Sequence, residues 1–253
     1  MWLLRQSLRV PWACARSVAL PAAAVLALSA ACVARADGSW SRPAVIDRAG
    51  NDLVAVACLS AGRCVAIESR PSGSAWEITF NPSTLRASAP RKVIAVTHAR
   101  FSLACPAANR CVLVTQGGRA VTFNPGSGRA IARGRVAYPY QCNEPTCGTT
   151  LEGDTLAALA CPSVRQCTAV AGDGVEATFN PAAPSGARRS AVDPNGSGFA
   201  AVACPSPHQC TALDAVAAVT FDPRAPNNAT SVVIVPGGRG LLSLACPLSL
   251  IHI

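Results

Sequence analysis

The chain has 253 residues, 50% of them hydrophobic and 14% charged, with 13 cysteines and a formal charge of +9. That length suits one large all-β domain or two smaller ones. Of the 22 basic residues 21 are arginine, scattered in singles and short pairs such as Arg91-Lys92 and Arg188-Arg189, and with no recognition motif or interleaved aromatics they do not point to nucleic acid.

Residues 1–36 come first. Arg5, Arg9 and Arg16 accompany an uncharged apolar run over 17–34, and Ala34-Arg35-Ala36 supplies a small-x-small cleavage site. The segment reads as an export signal, with the mature chain starting near Asp37. Two alternatives stay open. One is an uncleaved anchor, because the run is near the lower limit for spanning a bilayer. The other is a lipoprotein signal with Cys32 of "LSAAC" acylated. After the signal, "RPAVID" (42–47) has the look of an isolated fourth strand, of the kind that closes a ring by pairing with a last blade.

The chain then repeats itself. "LVAVACLSAGRCVAIES", "FSLACPAANRCVLVTQ", "LAALACPSVRQCTAVAG" and "FAAVACPSPHQCTALDA" are followed in turn by "ITFNP", "VTFNP", "ATFNP" and "VTFDP". The first cysteines fall at Cys58, Cys105, Cys161, Cys204 and Cys246. Periods of about 40–50 residues belong to propeller blades or helical repeats. Short Val, Ala, Ile, Thr and Phe runs broken by Pro, Gly, Asn and Ser favour strands, four to a unit. The expected fold is therefore all-β, a β-propeller of four-stranded blades. Units lie near 53–97, 100–155, 156–198 and 199–240, with a partial unit at 241–247. The propeller region as a whole covers 37–247, and the incomplete fifth unit predicts a truncated, open arc.

Within each unit the two cysteines bracket five residues of turn type, so the thiols face each other across a hairpin. Pairing is expected for Cys58 with Cys64, Cys105 with Cys111, Cys161 with Cys167 and Cys204 with Cys210. A further pair is expected between Cys142 and Cys147. Pro106, Pro162, Pro205 and Pro247 follow the first cysteine, where a fixed φ begins a turn. Phe80, Phe123, Phe179 and Phe221 are expected between blades, and Pro82, Pro125, Pro181 and Pro223 at the ends of third strands. Metal binding does not fit, because zinc sites favour closer cysteine spacing with additional Cys or His ligands. No cofactor is implied.

One unit is longer than the others, and its surplus lies at 134–155. It holds both tyrosines, Tyr138 and Tyr140, the cysteines Cys142 and Cys147, and the acids Glu144, Glu152 and Asp154. Such a loop could recognise a sugar or peptide through Tyr138, Tyr140, Glu144 and Asp154, or be an ordinary surface insertion tied down against proteolysis. Two-carboxylate glycosidase chemistry has no second support in the sequence, and His208 in "PSPHQ" suits a solvated turn better than a catalytic triad.

The motif Ala-Cys-Pro-Ser-x3-Cys, together with "SWSRPAVID" (39–47) and "AVACLSAGRCVAI", resembles the cysteine-paired β-propeller repeats of secreted proteins from GC-rich bacteria. These are loosely similar to sialidase-like and photosystem-assembly-type propellers. The resemblance covers roughly 38–247 and implies an exported propeller. The chain itself is expected to be a secreted or cell-surface binding and scaffold module for an extracellular glycan or protein, without nucleic acid. A membrane would be met only through an uncleaved or lipoprotein-type signal. It brings no catalytic set: the Ser-x-Asp-x-Gly-x-Thr-Trp box of sialidases is missing, and "GDGVEATF" (172–179) matches it only in outline. A carbohydrate-active or lyase-type enzyme is the alternative reading.

The last unit breaks after Pro247. Six residues beyond Cys246 the pattern wants cysteine and finds His252. "LSLIHI" (248–253) is the translation of CTGTCTCTTATACACATC, a transposase end used in sequencing libraries, so a non-native tail is expected there. Cys246 is then half of a disulfide whose partner is missing.

Overall fold

The computed structural model describes residues 45–47, 50–95, 100–137, 156–193, 198–237, 240–241 and 243–245. The unit beginning at Ala44 carries four sheets of four antiparallel strands, each in simple chain order. Blade 1 is β1 (Asp52–Ser60), β2 (Arg63–Ser69), β3 (Ser74–Phe80) and β4 (Arg91–Ala95). Blade 2 is β5 (Phe101–Ala107), β6 (Arg110–Thr115), β7 (Arg119–Asn124) and β8 (Arg129–Arg135). Blade 3 is β9 (Leu156–Ser163), β10 (Gln166–Ala171), β11 (Val175–Asn180) and β12 (Ala183–Ala191). Blade 4 is β13 (Ala201–Ser206), β14 (Gln209–Leu213), β15 (Ala217–Asp222) and β16 (Ala225–Val233). First strands pack on first strands, β1 on β5, β5 on β9 and β9 on β13, so the blades succeed one another in an open arc. Of the segment 42–47, Val45, Ile46 and Asp47 are described and lie outside any strand, and its other residues lie outside the described ones.

The sequence builds a blade by burying both faces of its middle strands. Cys111 to Val114 on β6 are all buried, although a two-sided antiparallel sheet would bury only alternate residues. The two faces belong to different seams. Val65 and Ile67 pack with Leu113, Val121 and Phe123 between blades 1 and 2. Val112 and Val114 pack with Leu159, Ala169 and Phe179 between blades 2 and 3. Val170 packs with Val202, Val219 and Phe221 between blades 3 and 4. Each such side chain contributes about 1.5–3 kcal/mol on burial. Phe123, Phe179 and Phe221 are thus wedges between blades. Phe80, on the opposite face of blade 1, is only half-buried.

Polar groups stitch the same seams. Arg63 Nη2 donates to the Pro125 carbonyl at 2.8 Å, and Thr122 Oγ1 to that of Pro181 at 2.6 Å. Gln166 Nε2 reaches the Pro207 carbonyl at 2.8 Å. The prolines that end the third strands free their carbonyls to accept from the blade before.

The cysteine hairpins differ from the expected five-residue turn. Disulfides join Cys58–Cys64, Cys105–Cys111, Cys161–Cys167 and Cys204–Cys210 at Cα separations of 3.9, 4.0, 4.0 and 4.1 Å. The fifth expected pair, Cys142 and Cys147, lies outside the described residues. Ala104 pairs Val112 and Ala107 pairs Arg110, so Cys105 and Pro106 together oppose Cys111. The same two-against-one bulge holds Cys161-Pro162 and Cys204-Pro205. Only two residues remain at each tip. Pro106, Pro162 and Pro205 therefore sit inside strands rather than at turn starts. A bulged residue has no ladder partner for its N–H, so proline is tolerated there.

Candidate functional site

The first unit departs from the repeat between β2 and β3. Phe80 stands sixteen positions after Cys64, whereas Phe123 and Phe179 stand twelve after Cys111 and Cys167. The longer hairpin carries Glu68, Arg70 and Trp76 out to one end of the blade. Its turn closes on Gly73, which takes φ 75°, with Gly73 N–H donating to the Arg70 carbonyl at 2.7 Å. Left-handed backbone of that kind favours glycine.

Glu68 is fully buried and organises what surrounds it. Its Oε1 accepts from Arg70 Nε at 2.5 Å and from Asn51 Nδ2 at 2.6 Å. The Arg70 guanidinium lies over the Trp76 ring, 3.8 Å from its centroid. Trp76 Nε1 in turn donates to Ser74 Oγ at 2.9 Å. Carboxylate beside it and indole beneath it fix a guanidinium whose side chain remains 30% exposed. A planar cation held this way keeps donors in a set direction for a ligand. Glu68 Oε2 is buried without a hydrogen-bond partner among the described residues.

A cavity of about 600 Å³ opens beside this network, lined by Asn51, Asp52, Ser69, Arg70, Arg100 and Gln116, with glycine and proline backbone around them. Blade 2 supplies Arg100 and Gln116, which are tied together where the Gln116 N–H donates to the Arg100 carbonyl at 2.9 Å. The site therefore spans the seam of two blades, at the end where first strands begin. Two guanidiniums, a carboxylate and two amides face one space. That set suits hydroxyl-rich or anionic ligands, because it offers forked donors and an acceptor side by side.

Tyr138, Tyr140, Glu144 and Asp154, expected from the sequence to bind a ligand, lie outside the described residues. So do Cys142, Cys147 and Cys246. The described residues flanking the insertion are rooted near the cavity. Val136 N–H donates to the Gly118 carbonyl at 2.8 Å and Leu156 N–H to the Gln116 carbonyl at 3.1 Å. Asn51, Glu68, Arg70, Trp76 and Arg100 are absent from the sequence-based candidates. The lengthened Cys64-to-Phe80 interval is the signal that marks Glu68, Arg70 and Trp76; Asn51 and Arg100 carry none.

Successive four-stranded antiparallel blades in chain order define a β-propeller. The solved structures agree. The chain is similar to the WD40 repeats of RRP9, with a TM-score of 0.58 at 9% identity, covering 79% of this chain and 56% of that one. It is also similar to the Pan2 WD40 domain of Neurospora crassa, with a TM-score of 0.54 at 12% identity and coverages of 78% and 57%. U3-55K gives a TM-score of 0.55 at 10% identity, with coverages of 76% and 54%. The chain thus spans just over half the length of these propellers. No protein-family model matches it, and no curated protein does.

Proposed function

We propose that the chain is an exported binding module whose ligand, a glycan, enters the end-face cavity between blades 1 and 2. The observation that carries this reading is Arg70, held against Trp76 and buried Glu68 at the wall of a polar cavity that also contains Arg100, Asn51 and Gln116. Export is supported by four disulfides, which persist in oxidising compartments. It is supported further by the signal-like segment 1–36 and by the resemblance to secreted cysteine-paired propellers. The described flanks of the segment that carries Tyr138, Tyr140, Glu144 and Asp154 are hydrogen-bonded beside Gln116, which supports testing those four residues as contacts for the same ligand.

The test is a glycan array probed with the disulfide-intact chain, alongside Arg70→Ala, Arg100→Ala and the double change Tyr138→Ala with Tyr140→Ala. The expected result is a bound glycan class whose affinity falls at least tenfold with either arginine change and severalfold with the tyrosine pair. Unchanged affinity in both arginine variants would reject the cavity as the site. Turnover of a bound glycan in a parallel hydrolase and lyase screen would replace the binding-only reading with an enzymatic one.

A further inference from the structure

A second surface lies on the outer side of the seam between blades 1 and 2. Strands β3, β4, β7 and β8 together carry Arg91, Lys92, Arg119, Arg129, Arg133 and Arg135, with Glu77 as their one acid. Glu77 is spent inside the seam: fully buried, its two carboxylate oxygens accept from the Gly126 N–H at 2.8 and 3.0 Å. The sequence scatters these cations from Arg91 to Arg135, and the pairing of the blades gathers them.

The gathering is specific. In the β7–β8 register Arg119 stands opposite Arg135 and Val121 opposite Arg133, which puts all three guanidinium stems on one face of the sheet. Like charges directly opposed across strands are destabilising. The three arginines line a cleft of about 380 Å³ whose other wall is Ile94 and Ala95 of β4. At the far end of the seam a Cβ on Gly128 would stand 3.1 Å from Cβ of Arg91, which pairs with seam-facing Glu77 and so extends the row of cations. Arg119, Arg129 and Arg133 are exposed, as are Arg91 and Lys92.

We infer that this seam is a docking groove for a linear acidic polysaccharide, a chain of uronate residues whose carboxylates seat on the arginines of β7 and β8. Alternate residues on a strand lie roughly 6–7 Å apart on one face, so the stems of Arg133 and Arg135 leave the sheet at a spacing that a repeating carboxylate polymer can meet, with Arg135 Nη1 also donating to the Gly117 carbonyl at 3.5 Å. Bidentate pairing with carboxylate is what the planar guanidinium does best. None of the residues lining the cleft is Phe, Tyr or Trp. A groove without aromatic platforms gives unstacked bases nothing to rest on, which favours polysaccharide over single-stranded nucleic acid. The groove is separate from the end-face cavity, and the two proposals stand or fall independently.

The experiment is affinity electrophoresis of the full chain, disulfides intact, through gels containing polygalacturonate, at increasing NaCl. The triple change Arg119→Ala, Arg133→Ala and Arg135→Ala and the matching triple change to lysine are run beside it, each checked for an unchanged melting temperature. Arg133→Ser alone serves if the triple alanine change unfolds the chain. The expected result is retardation by polygalacturonate that weakens with salt. The alanine triple should lose it about tenfold or more and the lysine triple severalfold, while Arg165→Ala, in an exposed turn of blade 3, is retarded as strongly as the parent chain. Absence of retardation, or equal retardation of the alanine triple, overturns the groove. Stronger retardation by single-stranded DNA or stronger capture by anionic vesicles than by polygalacturonate overturns its occupant.

Discussion

Glu176 is the residue whose protonation is written most strongly into the fold. It is almost fully buried on β11, where it accepts from Thr178 Oγ1 at 2.7 Å, and Thr178 lies 2.8 Å from Thr168 Oγ1. Burial pushes its carboxyl up from the ordinary 4.5 to about 7, against the opposing pull of the Thr178 hydroxyl and the Arg188 charge. The folded chain therefore holds a proton between those two values that the unfolded chain has released. Its effect on stability is absent below about pH 4.5, grows as a loss while the pH rises towards 7, and is complete above that. Glu176→Gln removes the loss. The variant should match the parent at pH 4 and exceed it at pH 8 by on the order of 2 kcal/mol. Urea midpoints at pH 4, 6 and 8 measure this, and identical pH profiles for the two chains would contradict it. Glu77 is raised by burial in the same way, but Gly126 and Gly128 backbone and the charges of Arg91 and Arg63 hold it down.

At the scale of elements, the turn between second and third strands fastens blades 2, 3 and 4 to the segments leaving their outer strands. In blade 2 Gly118 adopts φ 77° while its carbonyl accepts from Val136 N–H, and a Cβ there would overlap the Ala137 carbonyl. Gly118→Ala should cost roughly 2 kcal/mol or more, through both strain and displacement of that segment. Gly117→Ala, with nothing within 4 Å of the new Cβ, should change stability by no more than about 0.5 kcal/mol. A urea series on the two variants separates them; similar midpoints would mean that the turn does not anchor the blade. The repeat makes these elements legible because each repeated residue answers one local demand: cysteines span a hairpin, Phe wedges a seam, Pro ends a third strand. Outer strands are harder. β12 reads "APSGARRSA" and β16 "APNNATSVV", compositions that only an edge strand tolerates, since half its backbone groups need no ladder partner. The valines of 229–236 predict a fourth strand there, yet β16 begins at Ala225. The cavity is less legible still. Asn51 meets Glu68 across 17 residues and Arg100 joins from the next blade, a convergence set by the seam and carrying no period of its own.

Across the described residues, Glu68, Glu77, Glu176 and Asp214 are buried, whereas Arg119 of β7 and Arg129 and Arg133 of β8 are exposed. A modest formal charge can thus coexist with a strongly basic groove. The seams have a further consequence for how the 253-residue chain comes apart. The three apolar clusters each join only adjacent blades, so blades 2 and 3 are clasped on both sides, while Val54 and Val56 of blade 1 stay 42% and 62% exposed. Stability in such an array is approximately a sum of nearest-neighbour terms, and opening proceeds in units of differing cost. Native-state hydrogen exchange should show β6 and β10 as the slowest amides and β2 and β14 as faster, with uniform rates across all four arguing against a nearest-neighbour array. Such a molecule frays like a rope, from its ends inward, and the strands that trade their protons last are the ones holding the middle of the splice.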